Sequence, residues 1–337
     1  MSVLAARRRS VREGSPVLRF IGRRSLGALA GIIAASLVIF AGTQLLPGDA
    51  ASVVLGRNGD PATVKALDQR LHLDRPAVQQ YTDWLRGFVQ GDLGDSAVGL
   101  AQGEKTAPIW GLISNPVKNS VILAIITALL MIPLSLGLGV LAAVYGGRWL
   151  DNVISLGSLA AISLPEFVIG SLLVGVFFVG FDLLPPVAIV APDASPLDSP
   201  TKLILPVATL LLASLAAGIR MVRAGMLEVL QTEYVQTARL NGLPERRVLW
   251  RYGLRNALPP SVQILAQNLQ WLIGGIIITE NVFAYPGIGS TLVVAVQNRD
   301  VTLVQSVAML IAIVYIALNL LADLIVLLLV PKIREPA

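Results

Sequence analysis

Six long apolar runs leave this chain few ways to fold. They cover approximately residues 26–46, 120–145, 153–179, 203–222, 262–283 and 303–330 and carry hardly a charge. A hydrocarbon layer about 30 Å thick is crossed by roughly 20 helical residues rising 1.5 Å each, so every run is long enough to span it. Backbone groups find no water inside that layer, and unbroken apolar runs of this length satisfy them as helices. Composition agrees: 55% of the 337 residues are apolar and 14% are charged, whereas a soluble domain carries about 25% charged residues. The expected fold is all-α, a polytopic membrane protein with six transmembrane helices.

Basic residues orient the spans, because short cytoplasmic loops are enriched in Lys and Arg. Residues 1–25 read as a basic tail, with Arg7, Arg8, Arg9, Arg12, Arg19, Arg23 and Arg24 against Glu13. Residues 223–260 hold Arg239, Arg246, Arg247, Arg251 and Arg255, while 181–200 hold Asp182, Asp193 and Asp198 and no basic residue. Both termini are therefore expected in the cytoplasm. The first run, 26–46, is longer than the roughly 7–15 residues of a secretory h-region and reads as a retained span. The same arginines account for a pI near 9.7 without any nucleic-acid partner.

Several kinds of chemistry are excluded. The chain has no cysteine and one histidine, His72, which removes thiol nucleophiles, disulfides and most metal sites. None of its five lysines (Lys65, Lys105, Lys118, Lys202, Lys332) follows a glycine as in G-x-x-x-x-G-K-[ST], so the chain lacks a P-loop. H-E-x-x-H and G-x-S-x-G are also missing. No catalytic residue, metal site or cofactor of its own is expected, and work driven by ATP and Mg would need a separate ATPase subunit. The alternative is an ATP-independent carrier or channel, but the spans show no evident inverted repeat and few carboxylates to bind coupling ions.

Two connecting segments are too rich in signals to be plain loops. Residues 47–116 read as an external cap between the first two spans. Within it, Asp60-Pro61 opens a helix with Val64, Leu67 and Leu71 at helical spacing. A second helix follows Asp74, with Val78, Tyr81, Leu85 and Phe88 as an apolar stripe stopped by Gly91 and expected to pack on the membrane domain. Residues 117–331 form a five-helix core that contains a cytoplasmic loop, 224–260, and 332–337 form the C-terminal tail. In that loop two short helices break at Asn241-Gly242, and Pro244 opens the second. Val235, Ala238, Leu240, Val248, Leu249 and Tyr252 alternate there with charges, so the loop must dock on something. Lipid headgroups are one candidate surface; a protein fits a compact knob better.

The run from Glu233 through Tyr234, Thr237, Ala238, Arg239 and Asn241 to Gly242, continued by Arg246-Arg247-Val248 and by Leu254-Arg255-Asn256-Ala257-Leu258-Pro259, resembles the EAA loop of ATP-binding-cassette (ABC) importer permeases. The subgroup that imports dipeptides, oligopeptides and in some members nickel is the most similar. Pro47-Gly48-Asp49, Leu73-Asp74-Arg75-Pro76, Gly91-Asp92-Leu93-Gly94-Asp95-Ser96, Ser163-Leu164-Pro165-Glu166-Phe167 and the stretch from Glu280 through Tyr285-Pro286 to Gly289 match it in order. Asp92-Leu93-Gly94 points to the B-type permease of the heterodimeric pair. The chain departs from many relatives at Asn241, where they have Lys, and at Leu329-Val330-Pro331-Lys332.

The resemblance implies a type I importer transmembrane domain in a bacterial inner membrane. Its partners would be a second permease, two cassette ATPases and an external binding protein that delivers peptide. Residues Glu233, Tyr234, Thr237, Ala238, Arg239, Gly242, Arg246 and Arg247 would form the coupling helix seated on the ATPase, with Ala238 allowing close approach. Which cargo is carried, among dipeptides, longer peptides, nickel complexes and glutathione, no residue distinguishes.

Polar residues inside spans are costly and are the second set of candidates. Gln263, Gln267 and Gln270 share one helical face, which would either line the route for peptide backbone or bond the partner permease. Glu280 would meet a peptide amino terminus or an arginine of the binding protein, or form a salt bridge in the cap. Asn319 and Asp323 lie one turn apart near the cytoplasmic end and would either line the route or, the favoured account for Asp323, hydrogen-bond a neighbouring helix. Arg220 and Arg223 are expected to snorkel at the inner boundary.

Overall fold

The computed structural model describes residues 16–45, 65, 69–71, 74–191 and 194–329. The Asp60-Pro61 helix start, Pro47-Gly48-Asp49, His72, the first residues of the basic tail and the C-terminal tail lie outside them. Among the described residues the regular structure is helical, and a single isolated bridge pairs Asp95 with Pro108.

Helix α1 (Pro16–Gln44) begins some ten residues before the apolar run it contains. Pro16 suits a first helical position and arginine is a good helix former, so the helix carries Arg19, Arg23 and Arg24 past the apolar stretch instead of leaving them in a tail. After the cap helices α2 (Ala77–Gln90) and α3 (Ala97–Ala101) comes α4 (Ile109–Val144), the second span. Helices α7 (Pro200–Leu230), α10 (Arg255–Val282) and α12 (Val301–Leu329) are the other long spans.

The third span differs from the continuous helix its sequence suggests. It is two pieces, α5 (Trp149–Ser163) and α6 (Glu166–Val174), the latter extended by a π-helical turn Gly175–Gly180, and they meet at 111°. Pro165 causes the break, since it has no N–H to give the helix and forces Leu164 before it into the extended region, φ −101° and ψ 135°. Six spans result when this bent pair is counted as one.

Helix α7 is the centre of the bundle. In its most apolar window 56% of residues are buried, against 11% for α1 at the periphery. Small residues let α4 and α7 cross closely: a Cβ added at Gly139 would come within 2.6 Å of the Val222 Cβ and 2.9 Å of the Ile219 carbonyl. Leu123, Leu205, Leu210, Leu272, Phe283 and Tyr285 fill the core between α4, α7 and α10.

Among the described residues the cap is tied to the membrane domain through α2 and through the start of α3. On α2, Tyr81 and Trp84 pack on Phe40 of α1 at 5.4 and 6.2 Å between ring centroids, and the Tyr81 hydroxyl lies 2.9 Å from the Ser36 hydroxyl. Val78, assigned to this stripe from its spacing, is 74% exposed and stands off it, because Trp84 completes the packed face instead. Farther on, Asp300 just before α12 accepts hydrogen bonds from Ser96 Oγ and from the backbone N–H groups of Ala97 (3.1 Å) and Leu303 (3.2 Å), capping α3 and α12 together.

Candidate functional site

The loop between α7 and α10 folds into a knob with its own small core. Helix α8 (Glu233–Leu240) packs Val235 and Ala238 against Val248, with Leu243 and Tyr252 beside them. Gly242 makes the turn at φ +74°, a left-handed conformation that costs other L-residues roughly 1 kcal/mol or more. Across that turn Arg239 and Glu245 form an ion pair at 2.7 Å. Helix α9 (Glu245–Arg247) then runs through a π-helical stretch, Val248–Leu254, directly into α10. Asn256 Nδ2 donates to the Tyr234 hydroxyl at 3.0 Å and fastens α8 to the start of that span.

The outer face of the knob carries Glu233, Tyr234, Thr237, Arg239, Gly242, Arg246 and Arg247, all exposed, around Leu240, which is 87% exposed. Ala238 is not among them. It is 5% exposed and turned into the knob's own core, so its small size serves packing between α8 and Val248 and it does not present itself to a partner. Leu240 is the most exposed apolar residue of the knob, with Trp250 next at 61%.

In the fifth span Gln263 and Gln267 lie on the exposed face of α10, joined by Trp271 at 76% exposure. Gln270 is partly buried and donates to the Asn319 side-chain oxygen on α12 at 3.1 Å, so these two polar groups satisfy each other. Asn268 is buried and donates to the Ser214 carbonyl of α7 at 3.0 Å. Of the three glutamines Gln270 lines a cavity of about 720 Å³ at the bend of the third span, together with Ser163, Glu166, Trp271, Gly275 and Tyr315. The sequence reading passed over Glu166, Trp271 and Tyr315 as lining groups; a Pro followed by an acidic residue inside an apolar run was the signal for the first.

Glu280 lines nothing. It is fully buried, accepts hydrogen bonds from Ser120 Oγ and from the N–H groups of Gly289 (2.7 Å) and Ser290 (3.1 Å), and thereby ties the end of α10 to α4 and to the start of α11 (Ile288–Gln297). Tyr285 reinforces the joint by donating to the Asn119 carbonyl at 2.7 Å. The roles of meeting a peptide or forming a cap salt bridge therefore do not fit Glu280, because its carboxylate is already satisfied by a helix N-terminus and a hydroxyl. Asp323 pairs with Arg24 of α1 at 2.7 Å, the interhelical contact its position suggests. Arg223 does not snorkel; it makes two hydrogen bonds to Asp151 at the start of α5.

Residues 135–335 match the family described as binding-protein-dependent transport system inner membrane component, and residues 17–137 match its N-terminal region. Glutathione transport system permease proteins GsiC of Escherichia coli strain K12 and of Pectobacterium atrosepticum are each 32% identical over 318 residues, covering 94% of this chain and 99% of theirs. A chain of the inward-facing MetNI methionine ABC transporter superposes with a TM-score of 0.52 at 18% identity, over 66% of this chain and 97% of the other, a likeness of fold. The apolar knob at the root of α10, the amide-lined span above it and this agreement along nearly the whole length lead to one conclusion: the chain belongs to the binding-protein-dependent inner membrane component family and is a multi-pass permease subunit of an ABC importer.

Proposed function

We propose that this chain forms, with a second permease, the path by which di- or oligopeptides cross a bacterial inner membrane. An external substrate-binding protein delivers the peptide, and two cytoplasmic cassette ATPases drive the cycle with their own ATP and Mg. The supporting observation is the knob: a rigid unit presenting Leu240 and a rim of Tyr234, Thr237, Arg246 and Arg247, continuous through α9 with the span that carries Gln263 and Gln267. A push on α8 reaches α10 because the Val235, Ala238 and Val248 core and the Asn256 to Tyr234 hydrogen bond leave little slack. Neutral amides along the exposed face suit peptide backbone of any sequence, which leaves selection mainly to the binding protein. The relatives named for glutathione, itself a small peptide, favour a cargo of this class. The arginine distribution supports cytoplasmic termini.

The test is purification of the tagged chain from its native membrane in mild detergent, followed by identification of what accompanies it and an ATPase assay. A second permease and ATPases with P-loops, together with ATP-dependent peptide uptake after reconstitution, are expected. Recovery of this chain alone, under conditions that keep a control importer whole, would leave the knob without a partner and favour an ATP-independent carrier.

A further inference from the structure

We infer that Glu166, at the break in the third span, is a recognition residue for the free ammonium group of the transported peptide. This deepens the peptide reading and rests on it. Glu166 is partly buried, its Oε2 is shielded from solvent, and that oxygen has no hydrogen-bond partner among the described residues. No cation of the described chain pairs with its carboxylate either, although Asp151, Asp323, Asp83 and Glu245 all have such partners. A buried carboxylate oxygen without a partner inside a membrane span is costly, and such residues commonly face a cavity or a bound cation.

The surroundings fit a cationic group attached to a peptide. Glu166 stands where the span turns by 111°, and a backbone break at membrane depth is tolerated where it lines a cavity. That cavity, about 720 Å³, also holds the Trp271 and Tyr315 rings, which attract cations at their faces, and the Gln270 side chain. A second, smaller cavity of about 240 Å³ is lined by Gln267, Asn268 and Ser214, and Glu166 and Trp271 border both. A peptide held at its amino end by Glu166 would thus run its backbone along the α10 amides. The carboxylate is seated against Gly275: a Cβ there would lie 2.9 Å from Oε1 and 3.0 Å from Oε2. Any larger residue at 275 displaces it.

The experiment uses the complete importer, both permeases with ATPases and binding protein, reconstituted in liposomes. Uptake of a mixture of lysine-free tripeptides is compared with uptake of the same mixture N-acetylated, for the unaltered protein, E166Q, E166D and G275A. Because the binding protein is common to all, its own preference cancels in the comparison between variants. The expected result is that E166Q lowers free-peptide uptake about tenfold, the scale of one charge-assisted hydrogen bond, while uptake of acetylated peptides stays as it was. G275A, which pushes the carboxylate aside, should shift the ratio in the same direction, and E166D should restore part of it. An unchanged ratio in E166Q, or an equal fall for both mixtures, overturns the inference and leaves the peptide reading standing. Loss of the second permease from purified E166Q also overturns it, by making Glu166 an interface residue. Failure of the unaltered, ATP-hydrolysing importer to take up either mixture defeats the peptide reading itself.

Discussion

Arg223 on α7 grips Asp151 at the start of α5 with two hydrogen bonds, Nε to Oδ1 at 2.6 Å and Nη2 to Oδ2 at 2.7 Å, and Asp151 is only 2% exposed. Its carboxylate also accepts from the Gly147 N–H and the Ser155 hydroxyl, so the turn between α4 and α5 is fixed to the central helix. Removing one partner of such a pair leaves a desolvated charge behind. Asp151→Ala is expected to cost about 3 kcal/mol, at the low end for a buried pair because Arg223 keeps 32% of its side chain exposed. The midpoint of thermal unfolding in detergent should fall accordingly, and Asp151→Ala with Arg223→Met should recover part of the loss. A single variant as stable as the parent would show the pair to be dispensable.

Asp300 predicts a local effect of the same kind at the cap. One carboxylate serves Ser96, Ala97 and Leu303, so Asp300→Ala strips the cap from α3 and from α12 at once. About 2 kcal/mol of local stability should disappear, on the scale of a lost helix cap with a buried donor left over. Hydrogen exchange at residues 97–101 and 301–304 should speed up by roughly tenfold or more, with the knob unaffected. Uniform acceleration across the chain would instead mean that Asp300 holds the whole fold.

What could be read in the sequence divides along physical lines. Span number, the compact knob and the turn at Gly242 were legible because hydropathy over 20 residues and a lone glycine after a helical repeat are local signals. The roles of Asp151, Asp300 and Glu280 were not, because each depends on a partner 72, 204 or 160 residues away that spacing cannot reveal. Ala238 was placed on the wrong side of its helix for a related reason: small size suits a tight external contact and a tight internal one equally. Pro165 was visible, yet a proline inside a span can kink it or break it, and only packing decides which.

The Glu280 joint gives a prediction about glycine. A Cβ added at Gly289 would fall 2.6 Å from the Cα of Ile277, a backbone atom that cannot move aside cheaply, and 2.9 Å from Glu280 Oε2. Gly289→Ala should therefore destabilise the protein by about 2–3 kcal/mol, as overpacking does. Gly111→Ala, where the added carbon meets nothing within 4 Å in helix α4, should be neutral or slightly stabilising. Equal thermal midpoints for the two variants would contradict the close approach of α11 to α10.

The knob allows partner contact to be separated from its own folding. Leu240 is 87% exposed, so Leu240→Glu should leave insertion and thermal stability within about 0.5 kcal/mol of the parent. If Leu240 is the apolar centre of the ATPase contact, the same change should release the ATPase during purification and reduce coupled uptake at least tenfold. Ala238→Asp and Gly242→Val should also abolish coupling, but by a different route: the first puts a charge among Val235 and Val248, and the second forces a β-branched residue to φ +74°, so both should raise proteolysis within residues 233–247. The absence of native cysteine makes the contact directly readable. Leu240→Cys should react with a membrane-impermeant maleimide in inside-out vesicles and not in right-side-out ones, and bound ATPase should protect it. Labelling from the outer face would reverse the orientation deduced from the arginines, and undiminished labelling in the assembled complex would move the ATPase contact off α8.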